Sequence, residues 1–544
     1  MQAEIMNLPL TVSSILRHAE TVYRNNEIVS RLPEGGLWRY TYAQAASRAR
    51  QLANALIRLG VRHQDRVATL AWNTHRHYEL YYAVSGSGAI IHTVNPRLFP
   101  EQIVYIINHA QDAVLFFDTT FLPLVEKIRP ELTSVKHFVV LVGREHMPKS
   151  SLPLVCYEDL IAAESESFDW PVLHEGLASA LCYTSGTTGN PKGVLYGHRS
   201  TVIHAMASMA SDALGVSSRG AILPVVPMFH VNAWGIPYSA TMAGAKLVLP
   251  AGQLDGASVY RLMTDEQVTF SLGVPTVWLG LLQFCEKENL KLDHLERTVI
   301  GGSACPESMI RQFQEKHGVF VIHAWGMTET SPLGTVNSMN AHMASLSLED
   351  RYKLQAKQGR PMYGVELKIV GPDEKELPRD GKAFGRLLVR GPWVASGYYK
   401  HEDRSAWVDG WFDTGDVATI DETGTLNIVD RSKDVIKSGG EWISSVELEN
   451  VAIAHPAVAE CAVIGVPHPK WDERPVLLVV KKEGQDATKA GLLSFLEGKV
   501  AKWWLPDEVI FVQALPHTAT GKLLKRQLRD EFHHVLMEER AKVS

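Results

Sequence analysis

The sequence predicts an α/β protein: a large N-terminal domain of layered α/β sheets with a β-rich subdomain, then a small α+β C-terminal domain. Three observations predict it. Amphipathic helical stretches alternate with short apolar strands in the first part of the chain, the pattern of largely parallel sheets covered by helices. Around residues 363–430 the style changes to short β-like pieces joined by turns such as "GPDEKELPRDGK" and "DETGTLNIVD". At 544 residues the chain is too long for one hydrophobic core, and the stretch after Arg431 has the size of a separate small domain.

The elements follow in order. Thr41 precedes "YAQAASRARQLANALIRL", in which Leu52, Leu56 and Leu59 share one face and Gly60 follows as a stop, so a capped helix is predicted. "RVATLAW", Arg66–Trp72, reads as a short strand. A helix in "PEQIVYIINHA" and the strand "AVLFFD", Ala113–Asp118, make the next unit, and "KHFVVLVG", Lys136–Gly143, adds another strand. Gly220–Ala245 carries no Asp, Glu, Lys or Arg, and its length alone would allow the roughly 20 residues of a membrane span. Pro224, Pro227 and Pro237, with His230 and Asn232, interrupt any such helix, so the segment reads as buried core or tunnel lining. Asp430–Gly440, "DRSKDVIKSGG", is charged and glycine-ended and reads as a connector between domains at 1–429 and 430–544.

Composition narrows the function. A net charge of −6 gives no electrostatic reason for nucleic acid or an anionic membrane as partner. The five cysteines are odd in number and lack C-x-x-C spacing, which predicts a reduced, cytoplasmic protein without a zinc or disulfide framework. "MQAEIMNLPL" shows no cationic segment leading into a long apolar core, so no secretory signal is expected.

"CYTSGTTGNPKG", Cys182–Gly193, crowds hydroxyls, glycines and one lysine as a phosphate-wrapping loop would. It departs from the P-loop pattern, because Asn190 and Pro191 separate Gly189 from Lys192. Further motifs follow in a set order: "PMFHVNAWG" (Pro227–Gly235), "GGSACP" (Gly301–Pro306), "HAWGMTET" (His323–Thr330), "WFDTGD" (Trp411–Asp416), "DRSKDVIKSGGEWISSVELE" (Asp430–Glu449) and "TATGKLLK" (Thr518–Lys525). With these the chain resembles the acyl-CoA synthetases of the adenylate-forming superfamily, which also contains luciferases and peptide-synthetase adenylation domains. In detail it is most similar to bacterial medium- and long-chain fatty-acid–CoA ligases.

The resemblance implies a two-step ligase using ATP, Mg²⁺ and coenzyme A on a small carboxylic acid, with a medium-chain fatty acid favoured. It implies that Thr184, Ser185, Gly186, Thr187, Thr188 and Gly189 wrap the β- and γ-phosphates, with Lys192 nearby. Glu329 would hold Mg²⁺ with Thr184, and Thr328 would touch the α-phosphate. Gly301, Gly302, Ser303 and Ala304, with His323, Ala324, Trp325, Gly326 and Met327, would flank adenine. Trp325 stands where the family commonly has Tyr, so either ring can stack on adenine but the tyrosine hydroxyl is missing. Asp416 would accept from the ribose hydroxyls, and Arg431 would contact ribose or phosphate. His230 would lie near the acyl carboxylate, with Trp234 gating a tunnel beside Gly235. Lys522 would bridge the attacking carboxylate and the α-phosphate. Rotation of the small domain about Asp430 would then place Lys437, Gly439, Gly440, Glu441 and Trp442 along the pantetheine path.

Thr184, Glu329, His230 and Lys522 are thus the expected catalytic set. Cys305 reads as a buried small hydrophobe, since no His or Asp at a known spacing supports a nucleophile. A short thioether acid such as methylmercaptopropionate, an aryl acid, and the thiol of a carrier protein stay open as alternative substrates. A degenerate nucleotide binder would not need Lys522. Homodimers occur among long-chain members of the family, so the resemblance leaves a homodimer open.

Overall fold

The structure, a computed structural model, describes residues 4–184, 190–439, 441–517 and 523–537, without the Glu441 side chain. Two sheets form the body of the N-terminal part. One has seven strands in the order Leu154–Cys156, His137–Val140, Asp112–Phe117, Arg66–Leu70, Ile90–Thr93, Ala178–Tyr183 and Gly193–Gly197. All its neighbours pair parallel except the last two, which form an antiparallel hairpin.

The other sheet has nine strands. Its middle runs parallel through Phe320–Gly326, Arg297–Ile300, Phe270–Gly273, Ala221–Pro224, Lys246–Leu249 and Glu27–Arg31, and its edges are antiparallel. The helix His75–Gly86 is buried on every side and touches strands of both sheets. Its Tyr78, Tyr81 and Tyr82 fill the interior, each hydroxyl bonded to the charge-free segment: Thr241 Oγ1, Met228 O and Pro237 O respectively. A helix buried all round needs such partners for its polar atoms.

A five-stranded antiparallel sheet built on Phe384–Arg390 and Trp411–Ile420 forms the β-rich subdomain. The C-terminal unit centres on the long hairpin Val458–His468 with Asp472–Lys481, joined by the parallel strand Glu508–Phe511. Layered α/β sheets, a β-rich subdomain and an α+β C-terminal unit are the architecture expected of the sequence.

The local signals hold in the helices more closely than in the strands. Thr41 caps the helix Tyr42–Arg58 through a reciprocal capping box with Gln44, and Gly60 leaves it at φ +81°. Strands are shorter than predicted. The one over 66–72 ends at Leu70, because the Trp72 N–H turns to donate to Asp118 Oδ2 at 2.7 Å. The others contract or shift to Asp112–Phe117 and His137–Val140. The connector over 430–440 also shrinks: Asp430 and Arg431 complete the strand Leu426–Arg431, and Ile436–Ser438 is itself a strand. The charge-free segment divides into the strand Ala221–Pro224, a tight turn and the helix Ile236–Ala243. Among the described residues no helix is long and apolar enough to cross a membrane.

Candidate active site

The parallel strands Arg297–Ile300 and Phe320–Gly326 end side by side, and the chain leaving them, at Gly301–Gly302 and Gly326–Glu329, lines a cavity of about 1060 Å³. A crevice at the carboxyl ends of parallel strands is where open α/β sheets bind ligands. Thr184, Lys192, His230, Trp234, Ala324, Trp325 and Arg431 share the same cavity.

The apolar wall is made by an unusual turn. Val231, Asn232, Ala233 and Trp234 have φ of 41°, 51°, 48° and 56°, and Gly235 follows at 77°: a left-handed turn in four non-glycine residues. Each such residue costs about 1–2 kcal/mol, so the surroundings must hold it. Asn232 Oδ1 accepts from the Tyr81 hydroxyl at 3.2 Å, and the Ala233 N–H donates to Pro227 O. Gly301 allows the Trp234 ring to lie close, since a Cβ there would stand 3.0 Å from it. Behind Gly235 lies His204, buried, with Nε2 accepting from the Leu333 N–H and its pKa pushed down to about 4 by burial.

The polar wall centres on Glu329, which sits in a short turn after Gly326 and is nearly inaccessible. Burial raises its carboxyl above the usual range, while the Tyr398 hydroxyl donates to Oε1 at 2.6 Å. The Lys192 ammonium lies 4.8 Å from the centre of the Tyr398 ring, so Lys192 and Glu329 meet across one tyrosine. Tyr196 donates to Thr328 O at 2.7 Å, tying the strand after the loop to the same turn. The loop closes at its base: the Thr184 N–H donates to Lys192 O, and the Lys192 N–H to Thr184 Oγ1.

At the far side Asp416, only 3% exposed, lies behind the cavity wall. Its Oδ2 accepts from Trp325 Nε1 at 2.9 Å and its Oδ1 from Arg431 Nε at 3.0 Å. Asp416 orients Trp325 and Arg431, which do line the cavity, from behind its wall. The Trp325 indole thus has a polar partner of its own. Gly302, at φ +81°, keeps its backbone bare on the cavity. Ser303, Ala304, His323 and Gly235 stand outside the lining; His323 is buried, its Nδ1 at 2.9 Å from Ala356 O and its pKa pushed down to about 4 by burial. Cys305 is 2% exposed, and burial raises its thiol, as expected of a packed small hydrophobe.

The C-terminal unit closes the cavity with Leu523, Leu524 and the first turn of the helix Lys525–Phe532. Lys525 is buried and committed: Nζ pairs with Glu449 at 2.7 Å and donates to Ser445 Oγ at 2.6 Å. Burial alone would lower its pKa, but Glu449 and Asp430 outweigh this and raise it. Ser445 in turn donates its N–H and hydroxyl to Asp430 Oδ2, so the expected hinge residue is held by the unit it would turn. Lys437, Gly439 and Trp442 lie away from the cavity; Trp442 packs on Phe384, and Gly439 under Trp471. Ser185, Gly186, Thr187, Thr188, Gly189, Gly440, Lys522 and the Glu441 side chain fall outside the described residues and atoms. Tyr398 and Tyr196 belong to none of the sequence motifs; the paired tyrosines of "ASGYYK", beside a glycine in a turn, are a signal that could point to Tyr398, and no such signal marks Tyr196.

Fold and cavity define an α/β protein with a ligand-sized crevice at the carboxyl ends of its parallel strands, bordered by the small C-terminal unit. The profile described as "AMP-binding enzyme" matches residues 16–399, and "AMP-binding enzyme C-terminal domain" matches residues 447–522. The chain is 56% identical to a 3-methylmercaptopropionyl-CoA ligase of Ruegeria lacuscaerulensis over 98% of this chain and 100% of that one. It is 51% identical to a medium-chain-fatty-acid–CoA ligase of Ectopseudomonas oleovorans over the full length of both. Among solved structures, an anthranilate CoA ligase in complex with anthranoyl-AMP superposes with a TM-score of 0.86 at 27% identity, covering 98% of this chain and 99% of that one. The chain belongs to the AMP-binding enzyme family, and within it to the acyl-CoA synthetases.

Proposed function

We propose that this cavity activates an apolar carboxylic acid, a medium-chain fatty acid first, and joins it to coenzyme A. The observation that carries the reading is the meeting of a polar wall (Thr184, Lys192, Thr328, Glu329) with the Trp234 turn in one cavity. A carboxylate oxygen attacks the α-phosphorus of ATP, the α–β bridge breaks, and pyrophosphate leaves. The thiol of coenzyme A, losing its proton, then attacks the acyl carbon, and the bond to AMP breaks. No protein nucleophile is needed; positioning and charge stabilisation do the work.

Thr184 and Lys192 would border the leaving phosphates, Arg431 the ribose with Asp416 holding it from behind the wall, and the Trp234 turn the acyl chain. Glu329 and Thr184 fit as holders of Mg²⁺. A buried acid whose charged form is disfavoured gains from a cation beside it. No cluster of three or more His, Cys, Asp or Glu that could hold a metal occurs among the described residues, so phosphate and water oxygens would complete the shell that hard Mg²⁺ prefers. Bound there, the ion would neutralise phosphate charge. Lys522 is the proposed lysine of the first step; Leu523 and Leu524, which follow it, line the cavity. The second step is assigned to the small domain after rotation about Asp430, with domains at 1–429 and 430–544. Gly440 and Glu441, with Lys437, Gly439 and Trp442, would then guide the pantetheine arm.

Pyrophosphate release measured against straight-chain acids tests the substrate. Each buried methylene adds about 0.8 kcal/mol, or about fourfold in kcat/KM, until the pocket is full. The expected profile climbs from acetate to octanoate and falls by palmitate. A flat profile would sink the reading. A second reading, the short thioether acid, is favoured by the relative at 56% identity; a higher kcat/KM for 3-methylmercaptopropionate than for octanoate would select it.

A further inference from the structure

The helix Pro100–Ala110 lies outside every motif of the sequence, yet its Tyr105 and His109 line the cavity beside Thr184, Asn190 and Lys192. The His109 ring is stacked on Tyr105 with centroids 5.4 Å apart, and it meets Tyr399 edge-on at 5.6 Å. Its Nδ1 stands 2.7 Å from the Tyr183 hydroxyl. Tyr183 is the residue before Thr184, and it pairs in register with Gly193, the residue after Lys192. The Tyr183 ring is enclosed on another side by His92, at 5.0 Å. From the opposite direction, the Tyr399 N–H donates to Gly193 O at 2.7 Å, and Lys400 Nζ donates to His109 O and Gln111 Oε1. Both stems of the loop are therefore gripped: one by His109 through Tyr183, the other by the 399–400 segment.

We propose that His109 is a positioning residue for the polyphosphate end of the site, acting through Tyr183 on the stems that carry Thr184 and Lys192. This rests on the reading of that loop as the phosphate holder. Stems held in place before binding leave Thr184 and Lys192 less conformational entropy to lose when an anion arrives, so affinity for ATP and pyrophosphate depends on the His109–Tyr183 bond. AMP, which lacks the β- and γ-phosphates, does not engage that end and is indifferent to it.

Three full-length variants test this: His109→Phe, which keeps a flat ring on Tyr105 but loses Nδ1; Tyr183→Phe, which loses only the hydroxyl; and His109→Asn, whose amide reaches the position of Nδ1. Calorimetric titration with pyrophosphate in magnesium buffer, and separately with AMP, reads the effect without turnover. One hydrogen bond is worth about 0.5–1.5 kcal/mol, so His109→Phe and Tyr183→Phe should bind pyrophosphate about 2- to 12-fold more weakly. AMP should stay within about twofold of the parent, and His109→Asn should restore pyrophosphate binding. Unchanged pyrophosphate affinity in both Phe variants would overturn the proposal. So would equal weakening for AMP, the mark of a merely structural role, or an Asn variant as impaired as the Phe one. A parent enzyme that binds pyrophosphate but releases none with any acid would instead refute the ligase reading.

Discussion

Trp325 shows how one side chain can be both wall and scaffold. Its ring faces the cavity and packs over Gly334, where a Cβ would come within 2.4 Å, while its indole N–H holds Asp416 Oδ2. The motif alone leads one to expect a stacking ring without the tyrosine hydroxyl; the indole N–H supplies a hydrogen bond of its own instead. Hydrogen bonds to charged acceptors contribute about 1.5–3 kcal/mol. Trp325→Phe keeps the aromatic face and frees Asp416, so KM for ATP should rise about tenfold or more with acid KM little changed. Steady-state kinetics with each substrate varied in turn checks this. An unchanged KM for ATP would mean that Arg431 alone orients the acid.

At the scale of elements, the helix Lys525–Phe532 is pinned by Lys525 to Glu449 on the helix Ser445–Ala452 and, through Ser445, to Asp430 on the subdomain strand. Arg529 adds a second tie to Asp434. Removing one member of a buried ion pair leaves the other charge uncompensated, at a cost of about 3–5 kcal/mol. Lys525→Met should lower unfolding stability of the C-terminal unit by that order in denaturant titrations. Lys522→Ala, three residues earlier, should leave stability unchanged while abolishing acyl-adenylate formation and sparing thioester formation from supplied acyl-AMP. Two lysines of one motif are thereby given opposite tasks. Equal loss of both half-reactions in Lys522→Ala would contradict the domain-rotation scheme.

Across the whole molecule, buried histidines and buried carboxyls pull the response to acid in opposite directions. His77, His198, His204 and His323 are each pushed down to about 4, desolvation being the main cause. An unfolded histidine titrates near 6.5, so between about 4 and 6.5 the unfolded chain binds more protons and stability rises with pH. Asp118 acts in the opposite sense: burial raises its folded pKa to about 7, which removes stability as pH climbs from about 4 to 7. Asp112, Glu329, Asp430, Glu447 and Glu449 are raised by burial as well and act as Asp118 does. The histidine contribution is therefore read by substitution: the melting temperature of His198→Gln relative to the parent should rise as pH drops from about 6.5 to 4. A difference between variant and parent that is independent of pH over this window would contradict the burial of a neutral His198.

Much of this protein was legible before folding, because the relevant signals are local. The 3.6-residue pattern after Thr41, its reciprocal cap, the apolar strands and the order of the motifs each need only neighbours in the chain. They determined the α/β class, the small terminal unit and the family. What only the tertiary structure decided are pairings across long separations. Glu329 meets Tyr398, 69 residues away, and Trp325 meets Asp416, 91 residues away. The left-handed turn at Val231–Trp234 is equally invisible in "HVNAW", since Val231, Ala233 and Trp234 individually disfavour that backbone. It persists because the buried Tyr81 hydroxyl and the packing of Trp234 on Gly301 outweigh local preference, and such partners are brought together by strand order rather than by sequence spacing.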